Sequence, residues 1–177
     1  EREADPILQF IAEKNLTTTG WLFFKGKEVI GEDKSTFCDS EYKIRFNDIA
    51  MYTKGNLENI VPRPKVLSFD LEVNSTNVNQ MPKSFRPGDK IFQISLILFT
   101  QGEYETTNEK YLLTIGNPKF PEDKINSIKT ISCKTEAEII TNFTKFIIEK
   151  GPQLLIGYNI LGFDVEYLIE RAKHNLV

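Results

Sequence analysis

The 177 residues contain one histidine, His174, and only two cysteines, Cys38 and Cys133, far apart in the chain. A structural zinc site needs about four Cys or His ligands, commonly in close pairs, so zinc is excluded. A Ser-His-Asp or Cys-His pair would have to use His174, three residues from the last position, where a terminal turn frays. With no secretory signal at the start, two unpaired cysteines point to a reducing compartment and away from secretion. Apolar runs such as Ile94 to Phe99 fall far short of the ~20 residues of a bilayer span, so no membrane partner is expected. A phosphate-cradling glycine loop is missing too, because Gly157 to Gly162 has neither the GxGxxG nor the Walker spacing. Basic excess is also absent. Residues 1–62 carry 8 Lys/Arg against 11 Asp/Glu, and residues 63–177 carry 14 of each. No basic stripe marks a tight duplex binder, so much of the positive surface for any nucleic-acid partner would lie elsewhere. What remains is carboxylate chemistry in a globular composition, 40% apolar and 27% charged.

Pro62-Arg63-Pro64 favours an extended connector and divides the chain into segments 1–62 and 63–177. In the first, Ile7 to Lys14 has helical spacing, Trp21–Phe24 and Val29-Ile30 flank Gly26 as a hairpin would, and Glu41 to Phe46 alternates as a strand. This segment is expected to be a small β-rich module without chemistry of its own. In the second, Val66 to Val73 (VLSFDLEV) alternates as a strand, and a polar loop runs from Asn74 to Asp89. Ile91 to Thr100 is apolar on both faces, as a central strand is, and Glu109 to Ile115 is a third strand. Thr135 and Glu138 have capping-box spacing ahead of a helix whose apolar face is Ile139, Ile140, Phe143, Phe146 and Ile147. Gly151 and Pro152 end that helix. Leu154 to Gly157 reads as a short buried strand, and Val165, Leu168, Ile169 and Ala172 as the inner face of a last helix. The expected α/β fold is a mixed sheet of three antiparallel strands, then helix, parallel strand and helix. Trp21 and the thirteen phenylalanines, Phe163 excepted, are expected in the core, both cysteines as small core residues, and Arg171 on a solvated face.

Asp70 and Glu72 stand on one face of a strand whose neighbours are apolar. Most D-x-E pairs are solvated strand ends, but here no Lys or Arg occupies the same run to neutralise them. Two like charges in a partly dry site repel, and a divalent cation with oxygen ligands relieves that repulsion. Asp164 begins the last helix, a position that the helix dipole alone favours. It also follows a strand and turn, and a strand paired beside Val66–Val73 would bring it towards Asp70 and Glu72. Oxygen ligands without histidine favour magnesium or manganese.

PRPKVLSFDLEV resembles the first exonuclease motif of family B DNA polymerases, a strand ending in F-D-x-E, and LLIGYNILGFDVEYLIERA resembles the second, G-Y-N-x-x-x-F-D. GWL around Trp21 and CDSEYKI from Cys38 resemble the N-terminal region of delta-type polymerases of eukaryotes and large DNA viruses. The resemblance implies a ribonuclease-H-like fold and a 3′–5′ proofreading exonuclease within a DNA-directed DNA polymerase. It makes Asp70, Glu72 and Asp164 ligands of two Mg2+ (or Mn2+) ions, with Asp70 shared, Glu72 on the water side and Asp164 on the leaving-group side. It puts Asn159 in a hydrogen bond to the single-stranded 3′ end of DNA, Phe163 in a stack or wedge against it, and Leu71 in contact with a base. It implies further partners: the remainder of the polymerase chain, and a sliding clamp reached through other regions. The setting would be a nucleus or a viral replication site. The third motif, Y-x-x-x-D, and the polymerase motifs D-x-x-S-L-Y-P-S and Y-G-D-T-D are not among these residues. The segment is therefore expected to be cut within its exonuclease domain and weak or inactive alone. Two rivals remain: a free-standing three-carboxylate exonuclease, and a non-catalytic domain of this fold that only binds a partner.

Overall fold

A computed structural model describes residues 5–53, 55–121 and 127–177, without the side chains of 58 and 59. The chain divides into two units, Glu1–Val61 and Pro62–Val177.

In the first unit, helix α1 (Pro6–Glu13) starts at Asp5, whose carboxylate accepts from the Ile7 and Leu8 N–H groups, and Pro6 supplies a preset φ. Strands β1 (Leu22–Val29) and β2 (Glu41–Met51) pair antiparallel. The sequence suggested a hairpin around Gly26; instead one strand runs through it with a register shift between Phe24 and Gly26. A Cβ on Gly26 would sit 2.9 Å from the Lys43 carbonyl oxygen, so the strands close there only because the side chain is missing. The expected aromatic core does not form here. Trp21 is exposed by 37%, Phe37 is fully exposed, and Val29 is the buried apolar residue among those described. Cys38 is exposed as well, whereas Cys133 of the second unit is buried.

The second unit is built on a five-stranded sheet in the order β6-β5-β4-β3-β7. Strand β3 (Lys65–Val73) runs antiparallel to β4 (Ile91–Thr100), which runs antiparallel to β5 (Glu109–Ile115). A one-turn helix α2 (Tyr104–Thr107) lies between β4 and β5. Strand β6 (Ile128–Cys133), which the sequence pattern left unassigned, adds parallel to β5. Its alternation is faint, with Ile131 against the core and Cys133 buried while Lys129 and Thr130 face water, as suits an edge.

Helix α3 (Glu136–Lys150) begins where the Thr135 hydroxyl accepts from the Glu138 N–H and ends at Gly151 in the left-handed region, φ 56°. Its apolar stripe lies on the sheet: Phe143 meets Phe69 with ring centroids 5.2 Å apart, and Phe146 meets Tyr111 at 4.8 Å. Burying each such side chain contributes roughly 1.5–3 kcal/mol. Strand β7 (Leu154–Ile156) joins β3 in parallel over three residues. It was expected to be buried, but it is an edge strand, 43–45% exposed. Helix α4 (Asp164–Asn175) is rotated from the expected face: Asp164, Tyr167 and Arg171 are buried and Ile169 is 50% exposed.

Candidate active site

Alternation along β3 sorts the motif onto two faces. Leu67, Phe69 and Leu71 enter the core cluster, while Asp70 and Glu72 are exposed on the other face. Leu71 is 7% exposed, and its side chain packs in the core cluster. Its backbone is what serves the site. Strand β7 stops pairing at Ser68, so the edge of β3 beyond it is unpaired by strand. The Leu71 N–H on this edge donates to Asp164 Oδ1 at 3.2 Å. The carboxylate thus takes the place of the strand carbonyl that would otherwise have accepted there.

The turn that delivers Asp164 depends on two glycines. A Cβ on Gly157 would lie 2.6 Å from the Phe69 carbonyl oxygen and would also strike Ile160, and one on Gly162 would strike the Asn159 amide. Asn159 itself adopts φ 51°, a left-handed conformation that asparagine tolerates. Its carbonyl accepts from the Gly162 N–H (2.9 Å) and the Phe163 N–H (3.1 Å), and Ile160 O accepts from Val165 N–H at 2.8 Å. The chain therefore reverses tightly between β7 and α4, leaving Tyr158 and Leu161 almost fully exposed.

Asp164 is 3% exposed. Burial pushes its carboxyl pKa up against the Leu71 N–H, and the Asp70 charge adds to the rise against the N–H of Asp164 itself. No Lys, Arg or His forms an ion pair with Asp70, Glu72 or Asp164 among the described residues. Asp164 thus lies within electrostatic reach of a second unneutralised acid, Asp70, with Glu72 two positions along β3 on the same face. Among the described residues, no three His, Cys, Asp or Glu side chains are gathered into a closed metal-ligand group. The hard oxygen donors and the uncompensated charge nonetheless match what a divalent cation requires.

Phe163, half-buried, lies against Tyr167 with ring centroids 5.1 Å apart. The two rings share a shallow cleft of about 170 Å3 with Lys83, Phe85, Gly162 and Glu166. Phe85 is 73% exposed and was not singled out from the sequence. The available signal was a lone aromatic between Ser84 and Arg86 in an otherwise polar loop. Arg171 was also misplaced. It is fully buried in a two-pronged ion pair with Glu136, with Nε to Oε1 at 2.8 Å.

The fold is that of the ribonuclease-H-like exonuclease domains: a mixed five-stranded sheet with helices on it. The solved family B DNA polymerase of the hyperthermophilic archaeon Pyrobaculum calidifontis superposes with a TM-score of 0.60 at 21% identity, over 99% of this chain and 18% of that one. The model for the exonuclease domain of DNA polymerase family B matches residues 1–177, and the chain belongs to that family. DNA polymerase 120R of Invertebrate iridescent virus 3 is 37% identical over 99% of this chain and 16% of its own length. The DNA polymerase delta catalytic subunit of Plasmodium falciparum is 28% identical over 94% of this chain and 15% of its own. The chain thus spans about a sixth of these relatives.

Proposed function

We propose that this exonuclease domain removes nucleotides from the unpaired 3′ end of DNA, in the service of proofreading by a longer polymerase chain. Its metal ligands are Asp70, Glu72 and Asp164. The observation that carries the reading is Asp164: a nearly buried carboxylate beside a second acid, with backbone N–H donors alone and no counter-charge among the described residues. Such an arrangement is costly to the fold and is explained by a cation that binds there. Two Mg2+ or Mn2+ ions would supply neutralisation of the scissile phosphate and acidification of the attacking water.

The chain's own groups supply the rest. The Leu71 N–H fixes the direction of Asp164 Oδ1, so the carboxylate does not swing into water. The extended backbone between Asp70 and Glu72 keeps those two acids on one face at a fixed spacing. Phe163, with Phe85 across the cleft, offers a face on which a terminal base can stack, and the exposed Asn159 offers donors and acceptors to the last nucleotide. An end must unstack before it reaches such a cleft, and a mismatch lowers that cost, which makes the site selective for unpaired termini.

Calorimetric titration with Mn2+ tests the metal assignment. Saturable uptake by the wild type that Asp70→Ala and Asp164→Asn abolish is the expected result. Identical uptake by all three would leave a sheet domain that only binds a partner. A 5′-labelled single-stranded oligonucleotide shortened stepwise, with the label retained, establishes the polarity.

A further inference from the structure

Helix α4 carries a polar stripe on its inward side. Asp164, Tyr167, Arg171 and Asn175 are spaced three, four and four residues apart and therefore lie in one row down the helix. Together they bond β3, the loop ahead of β4 and the first residue of α3. Asp164 takes the Leu71 N–H of β3. The Tyr167 hydroxyl donates to the Asp89 carbonyl, just ahead of β4, at 2.9 Å. Arg171 pairs with Glu136, the first residue of α3, and donates to the carbonyls of Ser84 (2.9 Å) and Arg86 (3.0 Å). Asn175 Nδ2 donates to Glu136 Oε2 at 2.8 Å, and Glu136 Oε1 also accepts from the Ile91 N–H that opens β4, at 2.8 Å.

We infer that Tyr167, Arg171 and Asn175, with Glu136 as their counter-group, are positioning residues that set the axial register of α4 and thereby hold Asp164 against Leu71. This rests on the reading of Asp164 as a metal ligand. The apolar contacts of α4, through the part-buried Val165 and Leu168, are non-directional and tolerate a slide or a small rotation. Hydrogen bonds at four levels over roughly 16 Å of helix do not. Asp164 needs such restraint, because repulsion from Asp70 and loss of water both oppose its charge where it lies, against backbone N–H groups alone. A buried ion pair is rarely worth more to stability than well-packed apolar side chains of its size, so stability alone does not account for Glu136 and Arg171. Fixing a ligand in place does, as partners behind a metal ligand commonly do.

The test is Mn2+ affinity, read from the paramagnetic resonance signal of the free ion, alongside thermal melts. Four variants of the chain are compared. Tyr167→Phe deletes one hydroxyl and keeps the ring. Arg171→Lys keeps the charge and loses the fork. Ile139→Val loosens the core without touching the stripe. Asp164→Asn removes the ligand itself. Affinity is expected to fall about tenfold or more in Arg171→Lys and several-fold in Tyr167→Phe. It should stay unchanged in Ile139→Val even where that variant melts lower. Tyr167→Phe removes too little to prevent folding, so the test stands if Arg171→Lys fails to fold. Wild-type affinity in Tyr167→Phe and in folded Arg171→Lys, with loss in Asp164→Asn, would overturn the positioning role alone. Wild-type affinity in Asp164→Asn would overturn the ligand reading beneath it.

Discussion

Removing the Arg171 guanidinium should cost more than any other single change outside the hydrophobic core. Arg171→Met keeps most of the stem volume but takes the counter-charge from the buried Glu136 carboxylate, which retains only the Asn175 amide and the Ile91 N–H, and removes a donor from the carbonyls of Ser84 and Arg86. Glu136 and Arg171 have side-chain exposures of 3% and 1%, so neither can turn to water without moving backbone. Breaking one side of such a pair costs about 3–5 kcal/mol, which in a chain of this size lowers the melting midpoint by roughly 6–20 °C. Glu136→Leu combined with Arg171→Met removes both charges and should recover much of that loss, giving a coupling of about 2–3 kcal/mol in a double-mutant cycle. The pH dependence gives an independent sign. Burial would raise the Glu136 carboxyl pKa, but bonds from Arg171, Asn175 and the Ile91 N–H outweigh it and hold the pKa below the ordinary value. In the wild type, the stability Glu136 contributes is therefore present above the usual carboxylate range and is lost as pH falls through the lowered value. Without Arg171 the balance reverses, the buried group prefers its proton, and acidification from neutral pH stabilises the variant. Urea unfolding at pH 7 and pH 5 should show the gap between Arg171→Met and wild type narrowing. Additive single substitutions, or a gap that widens on acidification, would refute the argument.

Three further outcomes follow from other parts of the unit. Asp164→Asn keeps an oxygen acceptor for the Leu71 N–H and removes a buried charge, so its melting midpoint should not fall, while Mn2+ uptake is lost; a clearly lower midpoint would mean that the carboxylate serves the fold. Gly157→Ala forces a methyl group towards the Phe69 carbonyl and should cost about 1–3 kcal/mol by chemical denaturation. Asp89 is held at a pKa of about 2, chiefly by the Thr76 hydroxyl and against the effect of its burial, with the Lys83 and Thr76 N–H groups and Arg86 adding to it. Its stabilising contribution is present above about pH 4 and disappears as pH falls towards 2, so Thr76→Val should shift acid unfolding to higher pH; an unchanged profile would show that Thr76 does not hold the carboxylate.

Elements with strong periodicity were legible in the sequence. β3 alternates, β4 is an apolar run too short for a membrane span, and α3 carries a capped apolar stripe; with β5 their order dictated the mixed sheet. β6 was not legible, because Ile128 to Cys133 shows only Ile131 and Cys133 as core-facing residues and an edge strand needs little more. The face of α4 was misread for a definite reason. Tyr167, Arg171 and Asn175 look like a solvated side when charge is counted residue by residue, and their burial depends on Glu136 and on loop carbonyls far away in sequence. Asp70, Glu72 and Asp164 could be picked out because acids within or beside apolar segments are locally anomalous. Phe85 was hidden because its place in the cleft is decided by how the loop 74–89 folds around Asp89, which no local pattern reveals.

The buried charges of this unit differ in how they are compensated. Asp89 is satisfied by Thr76 and Lys83, with Arg86 3.8 Å away. Glu136 and Arg171 satisfy each other. These groups have what the fold needs to keep them ionised, and their removal should be felt as lost stability. Asp164, buried to the same degree, has backbone N–H donors alone and a like charge for a neighbour. Folding alone would be served as well by Asn at that position, which accepts from the Leu71 N–H without the cost of a buried charge. The charge farther along α4 is compensated by Glu136, whereas Asp164 has only backbone N–H groups and the helix end to offset its burial. A charge held in that state against both burial and repulsion makes physical sense where a cation completes it.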